Sequence, residues 1–203
     1  MIHYRQGDLL IRDMQSPDAR AFTDAELAQG WHADIAKYEQ RLADRDAGKC
    51  ASLTAEYRGQ PAGYVNVYFS AAQGPFAGAG IPELVDFGVL EKYRSRGIGS
   101  VLMDVAERIA AERADTLCLG VGLHSGYGSA QRLYARRGYV PDGSGAWYGD
   151  APCAPYEKLY ADENADLARQ YGIKQAPTLV VPGADGVTKY AGAPAIKQFL
   201  NQL

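Results

Sequence analysis

The stretch from Val85 to Ala110, VDFGVLEKYRSRGIGSVLMDVAERIA, limits the folds open to this chain more than any other. An extended apolar run ends in a knot of arginines and glycines, and Val101, Leu102, Val105 and Ile109 then recur at helical spacing. The order is strand, tight turn, helix. A helix N-terminus leaves its first N–H groups without intrahelical partners and carries about half a positive charge. Such a turn suits an anion: Gly97 and Gly99 clear side chains from the backbone, and Arg94 and Arg96 add charge and forked donors. A glycine turn with two solvated arginines is the competing reading. The dinucleotide fingerprint is excluded, because RGIGSVL lacks the third glycine and no acidic residue sits suitably downstream. A P-loop is excluded because no GK[ST] follows.

Around this unit the chain alternates helix and strand. Asp24 to Asp46 reads as two helical pieces broken at QGWH, with Ile35, Tyr38 and Leu42 on one face. Ser52–Tyr57 and Ala62–Phe69 are β-rich runs joined by the turn RGQP, hence a hairpin. AAQGPFAGAG is a loop and Glu83–Leu90 a strand. Thr116–Val121 reads as a buried strand, GLHSGYG as a loop, and Ser129–Arg137 as a helix closed by Gly138. The class is α/β with a mixed sheet.

A chain of 203 residues suits one domain, or one with a small appendix, and buries roughly 70% of its unfolded surface. No run approaches the roughly 20 apolar residues of a membrane span. MIHYRQGDLLIRD has no long apolar stretch after a basic flank, so it is not a secretory signal, and a cytoplasmic location is expected. Cys50, Cys118 and Cys153 are odd in number and far apart, which fits neither a disulfide framework nor a zinc spacing. A net charge of -3 gives no general attraction to nucleic acid or anionic lipid. The isolated His3, His32 and His124 give no spaced ligand set, so no metal is expected.

Arg94-Ser95-Arg96-Gly97-Ile98-Gly99 matches [QR]-x-x-G-x-[GA], and SAQRLYARRGYVPDG carries A-x-x-L-Y-x-x-x-G-[FY] on Ala130, Leu133, Tyr134, Gly138 and Tyr139. On these motifs residues 1 to about 155 resemble the GCN5-related N-acetyltransferases, the GNAT family. One departure is Tyr127, where the family often has Asn. The resemblance implies acetyl-CoA as cosubstrate, its pyrophosphate on the amides of Arg96 to Ser100, its pantetheine along the strand ending at Val89 and Leu90, and a backbone N–H near those two on the thioester oxygen. It implies Tyr134 as the acid that meets the departing thiolate. A base must also take a proton from an amine that arrives as ammonium; Glu83 is the first candidate and Asp86 the second. Standing three apart, they face opposite sides of a strand unless a bulge intervenes. Trp31 and His32 lie where the family builds its acceptor wall, and His124 is a further candidate for substrate contact. Each has a structural rival, respectively a surface-packed pair and a loop tip.

The last segment departs from this pattern. YADENADLARQYGIKQAPTLVVPGADGVTKYAGAPAIKQFLNQL resembles the second half of a thioredoxin fold: helix, APTLVV strand, ADG turn, short strand, closing helix. The sequence contains no CxxC, so disulfide exchange has no chemical basis. The division expected is 1–161, an acetyltransferase domain, and 162–203, a partial thioredoxin-like segment that is structural or adaptor-like. Tyr156–Ala161 is expected to complete the main sheet. Leu167, Leu179, Val181 and Phe199 are expected to pack on that sheet or on a second copy of the chain, and the resemblance implies a cis Ala176–Pro177 bond. The function expected is acetyl transfer to a primary amine of a small molecule or peptide. The rivals are a CoA-binding protein without turnover and an accidental fusion. Aminoglycoside, polyamine, amino acid and protein N-terminus all remain open as acceptors, and a homodimer is compatible.

Overall fold

Two short runs, IHYRQ and LLIRD, pair across Gly7 and Asp8 as a hairpin, β1 (Ile2–Gln6) and β2 (Leu9–Asp13). No expectation from the sequence covers this hairpin. The computed structural model describes residues 1–148, 150–153, 165–170, 173, 178–183 and 186–200, in two compact units, Met1–Cys153 and Ala154–Leu203.

Helix α1 (Ser16–Ala28) begins well before the expected Asp24, because Pro17 sits in its first turn and Asp18 accepts the Gln15 N–H at 2.7 Å. The chain breaks at QGWH as expected, and α2 (Ile35–Asp46) starts where the Asp34 side chain takes the Ala36 N–H. Then follow β3 (Cys50–Tyr57), β4 (Gln60–Tyr68), β5 (Glu83–Val89), α3 (Ile98–Ala111), β6 (Cys118–Leu119) and α4 (Gly128–Arg136). The strands form one sheet in the order β1 to β6, antiparallel up to β5 and parallel between β5 and β6. The sheet is therefore mixed. Alternation on β4 sends Val65 and Val67 into the core with Leu102, Met103 and Ala106 of α3, and Tyr64 to the opposite face with Phe22 of α1 and Tyr38 of α2. Helices thus cover both faces.

Between these layers Arg12 of β2 reaches Asp18 of α1 and Glu56 of β3, and Thr54 also donates to Asp18. Burial pushes the Asp18 carboxyl up, but hydrogen bonds from Arg12, the Gln15 N–H and Thr54, with the Arg12 charge, bring it below the usual carboxylate range. A depressed carboxyl contributes stability above its unfolded pKa of about 3.9 and loses it as pH falls through the lower folded value. Asp18→Asn removes one of the two carboxylates that hold the Arg12 guanidinium and is expected to cost about 2 kcal/mol at neutral pH, with a smaller difference from the parent in acid. Urea unfolding at pH 7 and pH 3 measures both, and equal stability at pH 7 would refute it.

Two differences from the sequence expectation concern the sheet's far edge. Thr116–Val121 pairs only at Cys118 and Leu119, because β5 bulges at Asp86 and turns away beyond it. A short hairpin, β7 (Trp147–Tyr148) with β8 (Ala151–Pro152), follows. The expected strand Tyr156–Ala161 lies outside the described residues, as do Ala176–Pro177 and the side chains of Leu167, Leu179, Val181 and Phe199. The second unit shows α5 (Ala165–Gln170), an antiparallel pair β9 (Thr178–Gly183) and β10 (Gly186–Ala191), and α6 (Ala193–Leu200). Among the described residues no helix is long and apolar enough to cross a membrane.

Candidate active site

The centre of the site is backbone. Leu90 donates its N–H to Ala62 at 2.9 Å, which makes Ala62 and Leu90 a hydrogen-bonded pair; Gly63 and Val89 are then a non-bonded pair, and Tyr64 and Gly88 a bonded one. The Val89 N–H accordingly points away from β4. Among the described residues its sheet neighbour on that side is β6, which pairs with β5 at Glu83 and Leu84 alone. Two strands that start parallel thus part and leave an open edge at Val89. Leu90, expected to share this role, does not: its N–H is taken and its side chain is buried with Phe22 and Tyr38.

At the foot of this opening lies the turn into α3. Gly97 caps the helix at a φ of 78°, a left-handed conformation that suits glycine. Val101 is the first residue whose N–H bonds back, to the Gly97 carbonyl. Ile98, Gly99 and Ser100 are left with N–H groups that have no helical acceptor. Ile98 is buried and pins the turn to the core. A Cβ on Gly99 would stand 3.3 Å from the Phe87 ring and 3.6 Å from Val89, so glycine lets α3 lie directly on β5. Ser95 is also left-handed, at a φ of 60°. Arg94 donates to the Val89 carbonyl and lies over the Trp31 ring, and Arg96 lies over Tyr57. The turn thus presents unpaired amides flanked by two exposed guanidiniums, features that suit an anion.

Tyr134 of α4 is nine-tenths buried, its ring between Phe87 and Tyr139. Burial, with a smaller effect from Tyr127, pushes its phenol up to about 12. It is fully protonated at neutral pH, as a donor must be. Tyr134 and Glu83 both line a cavity of about 1520 Å³ running over β6.

The bulge gives the two carboxylates different surroundings. Asp86 takes a φ of 53° opposite a register break in β4, and Arg41 of α2 holds its carboxylate through Nε at 2.9 Å and Nη2 at 2.8 Å. Its charge is committed to a guanidinium. Burial raises Glu83 above the usual carboxylate range, against the opposing charge of Arg41. The same arginine acts on both, so the bulge cancels the expected opposition of faces. Glu83 nevertheless stands about 13 Å along the strand from Phe87 at 3.3 Å per residue. Trp31 is half-buried beneath Arg94 and His32 is exposed. His124 caps a short turn by accepting the Gly126 N–H, its ring against Tyr127, and so fits the loop-tip reading.

Sequence reasoning missed the polar residues facing β5. Lys37 and Arg41 stand four apart on α2, and Tyr64, Asn66 and Tyr68 two apart on β4. Those periodicities were the signal. Arg41 also donates to Tyr68, which donates to Asp44, and the Asn66 amide donates to the Val85 carbonyl beside the bulge.

The acetyltransferase (GNAT) family matches residues 11–139. No curated protein matches the chain. A ribosomal-protein-alanine N-acetyltransferase from Brucella melitensis biovar Abortus 2308 is 23% identical at a TM-score of 0.52, over 69% of this chain and 98% of its own. A GCN5-related N-acetyltransferase from Ralstonia eutropha JMP134 is 21% identical at 0.51, over 69% and 97%. Ard1 from Thermoplasma volcanium is 18% identical at 0.51, over 66% and 84%. At these identities the likeness is one of fold.

Proposed function

We propose, from the premise that the chain belongs to the GNAT acetyltransferase family and is an N-acetyltransferase, that it moves the acetyl group of acetyl-CoA to a primary amine of a small molecule or peptide. The observation that carries the reading is the open edge of β5, where the Val89 N–H faces the gap to β6 above the unpaired amides of Ile98, Gly99 and Ser100. Those amides receive the pyrophosphate, with Arg94, Ser95, Arg96 and Gly97 around it. Arg94 leaves the Val89 carbonyl to do so. A fixed N–H on the thioester oxygen is worth about 3 kcal/mol in the transition state, and Val89 supplies it. Tyr134, the expected acid, meets the leaving sulfur with a hydrogen bond from its hydroxyl, which strengthens as charge builds there. Glu83, made more basic by burial, takes the amine proton through a chain of waters, because it stands about 13 Å along β5 from Phe87, while Asp86 with Arg41 shapes the acceptor side alongside Trp31 and His32. His124 is proposed only as a loop contact.

The segment from about Asp162 onward is proposed as structural. Its helix, hairpin and helix fit the order expected of a half-thioredoxin, and the family match ends at residue 139.

The test is thiol release from acetyl-CoA against a panel of polyamine, aminoglycoside, free amino acids and a peptide with a free N-terminus. Transfer to at least one amine, well above hydrolysis without acceptor, is expected. Tight acetyl-CoA binding with no transfer to any of them would favour the non-catalytic CoA-binding reading instead.

A further inference from the structure

We propose that Lys37 is itself an acetyl acceptor of this site, so that the chain acetylates its own α2; the inference rests on the transferase reading above. The Lys37 side chain is about one-third exposed, and its ammonium does not point to solvent but enters a box of buried groups. Nζ lies 4.4 Å from the centre of the Tyr38 ring, 5.1 Å from that of Tyr64, and 3.4 Å from both Glu26 Oε2 and the Tyr64 hydroxyl. Glu26 is 2% exposed. Two aromatic faces and a buried carboxylate are the groups that would receive an incoming ammonium. The Tyr38 hydroxyl is buried without a hydrogen-bond partner among the described residues, so the box also holds unused polar capacity.

The position of the box gives it chemistry. Tyr64 stands opposite Gly88, and its hydroxyl lies 3.0 Å from where a Cβ on Gly88 would be. The ammonium of Lys37 is therefore two short steps from β5, at the residue next to Val89, on the face where the absence of a side chain on Gly88 lets the Tyr64 ring lie over the strand. Within Met1–Cys153 the two other lysines are held elsewhere: Lys49 pairs with Asp44 and Lys92 lies over Tyr93.

The step balances without a further reagent. Lys37 gives one ammonium proton to Glu26, from which it passes to solvent. The freed amine forms the C–N bond as the C–S bond breaks, the electron pair leaves on sulfur, and the thiolate gains a proton in exchange for the second one lost from nitrogen. The products are acetyl-lysine and CoA thiol.

Incubation of the full chain with isotopically labelled acetyl-CoA, followed by peptide mass spectrometry, tests the inference. Label is expected on Lys37 ahead of the more exposed Lys49 and Lys92, at a rate per molecule independent of protein concentration. Excess unacetylated CoA should suppress it without changing background labelling elsewhere. Glu26→Gln keeps the acceptor for Tyr64 and is expected to slow labelling about 100-fold, the effect of losing a general base. Label following exposure alone, or insensitivity to excess CoA, would overturn the inference. So would an unlabelled Lys37 in a preparation that acetylates an external amine, which leaves the transferase reading standing. Absence of both reactions would overturn both readings.

Discussion

Tyr134→Phe is expected to cut acetyl transfer about 100-fold at saturating substrates while leaving acetyl-CoA affinity unchanged. The ring keeps its contacts with Phe87 and Tyr139, so only the hydroxyl is lost. A phenol near 12 does not readily surrender its proton to a free thiolate, whose acid has a pKa of about 8.5. Its contribution is a hydrogen bond that strengthens as negative charge builds on sulfur, and loss of one such donor typically costs 2.7–4 kcal/mol, on the order of 100- to 1,000-fold. Because Tyr134 titrates far above neutrality, the variant should keep the shape of the parent pH profile between about pH 6 and 9. Single-turnover kinetics with calorimetry separates the two effects. An unchanged chemical rate would remove Tyr134 from the reaction, and a weakened affinity with unchanged chemistry would make it a packing residue.

What the sequence disclosed follows from how local each signal is. The turn at Arg94–Ser100 could be read directly, since glycine spacing, positive charge and the onset of a helical stripe all lie within a few residues. The two helical pieces broken at QGWH and the hairpin across RGQP were legible for the same reason, in period and punctuation. The β1–β2 hairpin was not, because its strands are short and its apolar residues are shared between two faces. The open edge at Val89 depends on hydrogen-bond register across three strands, which no local pattern encodes. The bulge at Asp86 is similar: a non-glycine residue at positive φ gives no warning in the sequence, yet it brings Glu83 and Asp86 under one arginine. The Lys37 box needs side chains from α1, α2 and β4 at once. Long-range pairing is the part of a site that single-sequence periodicity cannot supply.

Gly99→Val should weaken acetyl-CoA binding about 100-fold, and the structure changes the reason. Solvent-side bulk over the pyrophosphate was the sequence argument; in the fold a Cβ on Gly99 points inward, 3.3 Å from Phe87 and 3.6 Å from Val89. Two further methyls have no room there and lift the first turn of α3 off β5, an overpacking that typically costs 1–3 kcal/mol of stability. The same movement separates the amides of Ile98, Gly99 and Ser100 from the Val89 N–H, and a single ligand cannot then reach both anchors. Loss of one or two hydrogen bonds to a charged group, at about 1.5–3 kcal/mol each, accounts for the expected drop. Gly97→Ala provides the contrast: no atom stands within 4 Å of its Cβ, so it strains the backbone at a φ of 78° without wedging helix from strand. It should lose stability yet bind better than Gly99→Val. Gly99→Ala, with the Cβ alone, should fall between parent and valine. Calorimetry on the three folded variants decides the matter, since parental affinity in Gly99→Val would show that acetyl-CoA does not bridge α3 and β5.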